Sequence, residues 1–250
     1  MTTPLLTLVL LCATMVGTSF LSGIFGMAGG LVLVGVLLAL MPVPEAMALH
    51  AVTQVASNGW RALLWCRRVR WRSAAAYTAG CGLALGLWSL WRYVPDRAPA
   101  LVLLGATPFL VRLVPRRVRP DPDGAPQCVG FGLACMSLML LTGVAGPLLD
   151  TFFLGRGAWD RREVVATKAM CQVLGHALKL VYFAGVVEQP AAVDPLLGAL
   201  AVGSSVLGTT LARRVLEAMS DAQYRAWTWR LITTIAGFYL AQGTWLMLMP

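Results

Sequence analysis

The chain has 250 residues, of which 58% are hydrophobic and 12% charged, and a net charge of +9. Ordinary globular chains carry about 25% charged residues, so composition argues against a soluble domain, and the excess of arginine is better explained by membrane topology than by nucleic acid. Apolar runs of about 17–25 residues recur along the whole length, as a multi-pass membrane protein requires.

The first apolar stretch covers 5–41, and no basic residue precedes Arg61. It therefore lacks the positive flank of a cleaved signal peptide and is expected to remain as structure. Near its middle lies G-I-F-G-M-A-G-G, Gly23 to Gly30. Segments at 45–66, 73–92 and 98–114 follow. A second long stretch, 128–155, carries G-V-A-G-P from Gly143 to Pro147, and segments at 163–187, 192–212 and 229–249 complete the chain.

Four gaps hold most of the arginines: Arg67, Arg68, Arg70 and Arg72; Arg112, Arg116, Arg117 and Arg119; Arg156, Arg161 and Arg162; Arg213, Arg214, Arg225 and Arg230. The positive-inside rule places all four in the cytoplasm. Segment 128–155 must then enter the membrane and return, and 5–41 must begin and end outside. At ~1.5 Å per residue, 5–41 spans about 55 Å, short of two crossings of ~30 Å plus a turn. Each stretch is thus expected to be a hairpin, broken at its glycines, whose tip reaches toward the bilayer middle. The expected fold is all-α and polytopic, one transport domain over 1–250. It is built from two inverted repeats, 1–120 and 125–250, each a glycine-broken helical hairpin followed by three transmembrane helices. Both termini lie outside. Inverted repeats with interrupted helices are a transporter architecture.

A shift of 118 positions pairs Glu45 with Glu163, His50 with Lys168, Gln54 with Gln172, Asn58 with His176 and Arg61 with Lys179. The last four positions of each set share one helical face. The only lysines, Lys168 and Lys179, lie inside the 163–187 segment. A cation in mid-membrane costs about 2.5–3.5 kcal/mol on insertion scales unless a partner or substrate faces it. The candidate substrate-binding set is Gly26, Gly29, Gly30, Gly143 and Gly146 at the turns, where helix N-termini favour anions; His50, Gln54 and Asn58; and Lys168, Gln172, His176 and Lys179.

Each has a plainer reading. The glycines allow close helix packing, Lys168 could snorkel to the interface, Arg61 reads as an interfacial anchor, and the histidines could be satisfied interior residues. Glu45 and Glu163 fall in first turns, where capping is the default. Asp150 could pair with either lysine or carry protons. The nine tryptophans sit near span ends as an interfacial belt. Six cysteines without C-x-x-C read as packing residues rather than metal ligands. No phosphate loop, metal spacing or nucleophile–base pairing stands out, so neither an enzyme nor a cofactor is expected. The expected partners are the bilayer and a small anion, with no nucleic acid, and a homodimer is left open.

The G-M-A-G-G turn at Gly26–Gly30, followed by Pro42, Pro44 and the polar helix from Glu45, has a second copy at Gly143–Pro147. That copy precedes the polar helix bearing Ala166, Thr167, Lys168 and Ala169. This doubled arrangement resembles the TauE/SafE family of sulfite and organosulfonate exporters over essentially the whole chain. The resemblance implies an anion permease of the bacterial inner membrane, with sulfite, thiosulfate or sulfonates such as sulfoacetate as substrates. A membrane enzyme, a non-transporting assembly or anchoring protein, and a permease for another ion remain as alternatives.

Overall fold

The computed structural model describes residues 5–113, 115, 121–153, 159 and 161–249. The helices are α1 (Leu5–Phe25), α2 (Ala28–Leu40), α3 (Val43–Leu64), α4 (Trp71–Trp91), α5 (Arg97–Arg112), α6 (Ala125–Thr142), α7 (Gly146–Phe153), α8 (Arg161–Val181), α9 (Pro195–Ala218) and α10 (Asp221–Leu248). A 3-10 turn, Cys66–Arg68, follows α3, and a π-helical turn, Tyr182–Val186, extends α8. No strand occurs among the described residues. Five helices among them are long and apolar enough to cross a membrane: 5–25, 125–142, 162–186, 195–215 and 226–248. At 22 and 21 residues, α3 and α4 are long enough but insufficiently apolar. In α3 the polar stripe is the cause.

Local chemistry explains the breaks. The first stretch turns at Gly26, where φ is +72°, and the second at Gly143, where φ is +85°. Glycine adopts this left-handed region without the Cβ penalty. Pro42 caps α3 and Pro44 sits in its first turn, where a missing N–H is harmless. Ser220 and Gln223 form a capping box at the start of α10.

Both stretches are hairpins, as their glycines suggest, but the limbs are unequal. The first limbs have 21 and 18 residues, the return limbs 13 and 8. At ~1.5 Å per residue the first limbs measure about 31 and 27 Å, each more than half of a ~30 Å hydrocarbon core. The two tips overlap. A Cβ on Gly146 would stand 2.7 Å from Met27 Cβ, and one on Gly143 2.7 Å from Val34 Cγ2.

Specific contacts give the helix directions. α1 and α9 run parallel, with Gly208 against Val16 and Gly23 against Ala212. α4 and α6 also run parallel, with Gly132 against Tyr77 and Trp88 Nε1 donating to Ser137 Oγ at 3.0 Å. α5 and α10 run antiparallel, with Gly105 against Ala236 and Gly243 against Val102. α3 and α8 are antiparallel as well: Met47 meets Lys179, Gly59 meets Val173, and Arg70 just beyond α3 meets Glu163. The backbone approach at these glycines is tight, since a Cβ at Gly80 or Gly132 would meet a carbonyl at 1.9 or 2.0 Å. Small residues supply such packing where lipid removes the usual hydrophobic drive between helices.

These contacts gather the arginine-rich gaps at one end of the bundle. Arg70 pairs with Glu163, Arg162 lies over Trp65, Arg112 lies over Trp229, and Ser73 bonds to Pro122 O. Arg116, Arg117, Arg119 and Arg156 lie outside the described residues. Outward-facing tryptophans, among them Trp71, Trp91, Trp229 and Trp245, are exposed on the surface of the protein. Cys81, Cys128, Cys135 and Cys171 are buried in the core.

Candidate functional site

α3 and α8 form the centre of the molecule, and their polar stripes are buried. His50 and Asn58 are fully buried, and Gln54, Gln172 and His176 nearly so. Because the helices are antiparallel, position n in one stripe does not face its sequence equivalent in the other. His50, before Gln54 in α3, meets His176 and Lys179, after Gln172 in α8. The His50 and His176 ring centroids are 5.3 Å apart, nearly edge to face.

Lys179 is the most unusual group. Its side chain is 0% exposed, and its partners among the described residues are all neutral. Nζ lies 2.9 Å from His50 Nδ1 and donates to Gly143 O at 3.1 Å, with Met47 Sδ at 3.9 Å. His50 Nε2 lies 3.0 Å from Gly30 O. A carbonyl can only accept, so Nε2 carries the proton, Nδ1 has the lone pair, and Lys179 donates to it. The result is a continuous chain, Gly30 O to His50 to Lys179 to Gly143 O. It ties the return limb of the first hairpin to the turn of the second. His176 Nδ1, in the same pocket, is buried with no hydrogen-bond partner among the described residues.

The remaining site candidates divide. Gly26 is the first turn itself, and a Cβ there would stand 3.7 Å from Lys168 Nζ. Gly29 and Gly30 lie inside the first turn of α2, whose first intrahelical bond runs from Leu31 N to Met27 O. Their N–H groups precede that bond, yet the sites differ. A Cβ on Gly29 would meet Thr18 O at 1.8 Å, whereas one on Gly30 would face Gln54 Oε1 at 3.2 Å. Gly29 is therefore a packing residue between α1 and α2, and Gly30 borders the polar interior. Gly143 forms the second turn and Gly146 opens α7 against Met27. Asn58 Nδ2 donates to Gln54 O at 2.8 Å. Lys168 does not reach for the interface: it forms an ion pair with Asp150 of α7, which settles the carboxylate's partner.

Arg61 corrects a reading. Expected as an interfacial anchor, it turns inward instead, with Nη1 donating to Ser22 O at 3.0 Å and Nη2 to Asn58 Oδ1. It thus holds the end of α1, as its sequence equivalent Lys179 holds the end of α6. Nothing local signals this, since Ser22 lies 39 positions away; only the pairing with Lys179 hinted at it. Glu163 corrects another. It does more than sit in a first turn, because it makes a two-pronged pair with Arg70 Nε and Nη2 at 3.1 and 3.0 Å. This hydrogen bond raises the Arg70 guanidinium further above its ordinary value, so the pair stays charged.

No group of three or more His, Cys, Asp or Glu able to hold a metal occurs among the described residues. A family model described as "Sulfite exporter TauE/SafE" matches residues 9–240. The chain belongs to the TauE/SafE family. Comparison with curated proteins and with solved structures gave no match. Membership makes this a multi-pass membrane protein of a transporter family rather than of an enzyme family, and the match covers both hairpins and both polar helices. The buried stripe of α3 and α8 thus lies inside the region that matches the TauE/SafE family.

Proposed function

We propose that this protein exports small sulfur oxyanions, namely sulfite, thiosulfate or organosulfonates such as sulfoacetate, across the bacterial inner membrane. The observation that carries the reading is Lys179: a fully buried lysine whose partners are two lone pairs and a thioether. An unpaired buried charge is strongly unfavourable, and an anion seated beside Lys179 and His176 Nδ1 would compensate it. The two half-chains, 1–120 and 125–250, would act as inverted repeats. In support, α1 runs toward the arginine end and its counterpart α6 away from it, and the α1–α9 packing has its counterpart in α4–α6. The site then lies where both hairpins and both polar helices meet. With the arginine end in the cytoplasm, exporting one net negative charge gains about 2.3 kcal/mol per 100 mV of inside-negative potential, with protons as an added driving force.

Proteoliposomes loaded with sulfite or sulfoacetate test this directly. Efflux should accelerate when the interior is made negative, and Lys179→Gln should weaken substrate binding at least tenfold. The same change at Arg214, exposed at the end of α9, should leave efflux unaltered. Efflux indifferent to potential and to pH, with Lys179→Gln as active as the wild type, would refute the reading.

A further inference from the structure

The described residues contain two ion pairs of different character. Arg70–Glu163 lies at the arginine end of the bundle. Lys168–Asp150 joins α8 to α7 within the apolar bundle, and it is only partly withdrawn from solvent, the two side chains being 17% and 29% exposed. Further along the same face of α8, exposure falls to 6% at Gln172, 2% at His176 and 0% at Lys179. One helix therefore carries two lysines about 16 Å apart along its axis, joined by an unbroken polar face. The outer lysine is matched by a carboxylate and partly exposed; the inner one is buried against neutral groups. Lys168 also flanks the first glycine turn, where the absent side chain of Gly26 leaves its ammonium clear.

We infer that Asp150 is a tethered stand-in for the transported anion. Its carboxylate occupies Lys168 when substrate is absent. A sulfur oxyanion arriving from the arginine end displaces it, then passes along Gln172 and His176 to Lys179. This rests on the transport reading above. A carboxylate and a sulfite or sulfonate group offer the same acceptor oxygens to an ammonium, so one can replace the other without leaving Lys168 uncompensated. Asp150, 29% exposed, is not sealed inside the protein when displaced. The exchange also imposes selectivity, because neutral and cationic solutes cannot compete with a carboxylate for a lysine. No covalent step is involved; one ion pair is traded for another.

The experiment is efflux from proteoliposomes, reading the half-saturating concentration of sulfite and of sulfoacetate. Asp150→Asn removes the competitor and should lower half-saturation at least fivefold. Lys168→Gln removes the receptor and should raise it at least fivefold. Asp150→Glu keeps the competitor and should stay near wild type. In the double variant, Asp150→Asn should give no gain over Lys168→Gln alone, because the two changes act on one interaction. A merely structural ion pair would lower the thermal midpoint in both single variants and shift both half-saturations the same way, so opposite shifts are the signature. Unchanged or raised half-saturation in Asp150→Asn overturns the inference. So does failure of both Asp150→Asn and Asp150→Ser to insert, which would mark the pair as structural. Absence of wild-type efflux for every anion tried would remove the transport reading itself, and the stand-in with it.

Discussion

At the scale of single residues, the same residue type does different work at neighbouring positions, and the contacts decide which. Gly29 and Gly30 look alike in G-M-A-G-G, and both were candidates for presenting backbone donors to an anion. Only Gly30 borders the polar interior; Gly29 lets α2 lie against the backbone of α1. A methyl group at Gly29 has no room beside Thr18 O, so Gly29→Ala should destabilise by about 1–3 kcal/mol through overpacking. Gly82, in α4, has nothing within 4 Å of a built Cβ. There the same change should be neutral or stabilise by a few tenths of a kcal/mol, since alanine is the better helix former. Thermal midpoints of the two variants in detergent would check the contrast, and equal midpoints would contradict it. Lys179 was legible as an interior group because a lysine deep in an apolar run has few innocent explanations, and it is fully buried. Arg61 was not, because a cation near an arginine cluster reads as an anchor, and its long-range partner, Ser22 O, is brought to it only by tertiary packing.

Between elements, direction matters more than register. The shift of 118 found the two polar helices but set His50 beside Lys168 on paper, whereas in space it meets Lys179. Antiparallel packing around a near-central crossing forces this: equivalents coincide only at the crossing and diverge toward opposite ends. The hairpins show a similar limit. Their glycines marked the turns, but hydropathy runs on through Gly26 and Gly143, so the inequality of long first limbs and short return limbs left no trace in composition. The arginine end of the α3–α8 pair is held by two contacts from one short stretch of α8. Besides its pair with Glu163, Arg70 donates its backbone N–H to Thr167 Oγ1 at 2.9 Å, and Thr167 is fully buried. Thr167→Val keeps the shape and removes the acceptor. An orphaned backbone donor costs about 1–3 kcal/mol, so the thermal midpoint should fall by several degrees, while Thr167→Ser, which keeps the hydroxyl, should lose far less. If valine and serine melt alike, the linker is not held by this bond.

For the whole molecule, the helix directions turn a charge rule into a geometric statement. α1 runs toward the arginine end and α2 returns from it, so the first hairpin begins and finishes at the far end. α3 then crosses to the arginine end, α4 crosses back, and α5 crosses again. α6 starts at the arginine end beside the start of α4, and α10 leaves that end beside Arg112 and finishes beside Ala98, at the far end. Each half of the described chain is then a hairpin plus three helices, an odd number, and Leu5 and Met249 fall at the far end. Arginine resists translocation, so the arginine end is expected in the cytoplasm. A reporter fused after Arg119 should therefore signal the cytoplasm, and one fused after Pro250 the opposite compartment. Length and hydropathy together give five spans among the described residues and leave α3, α4 and α5 unassigned, α5 because it has only 16 residues. The polar stripe that removes α3 from that count is the same stripe that carries Gln54 and Asn58. A buried polar stripe hides its helix from a hydropathy scan, because the groups that lower the score are those the fold keeps away from lipid. Reporters signalling the same compartment would mean that one of these three helices does not cross, and the inverted arrangement of the two halves would fall with it.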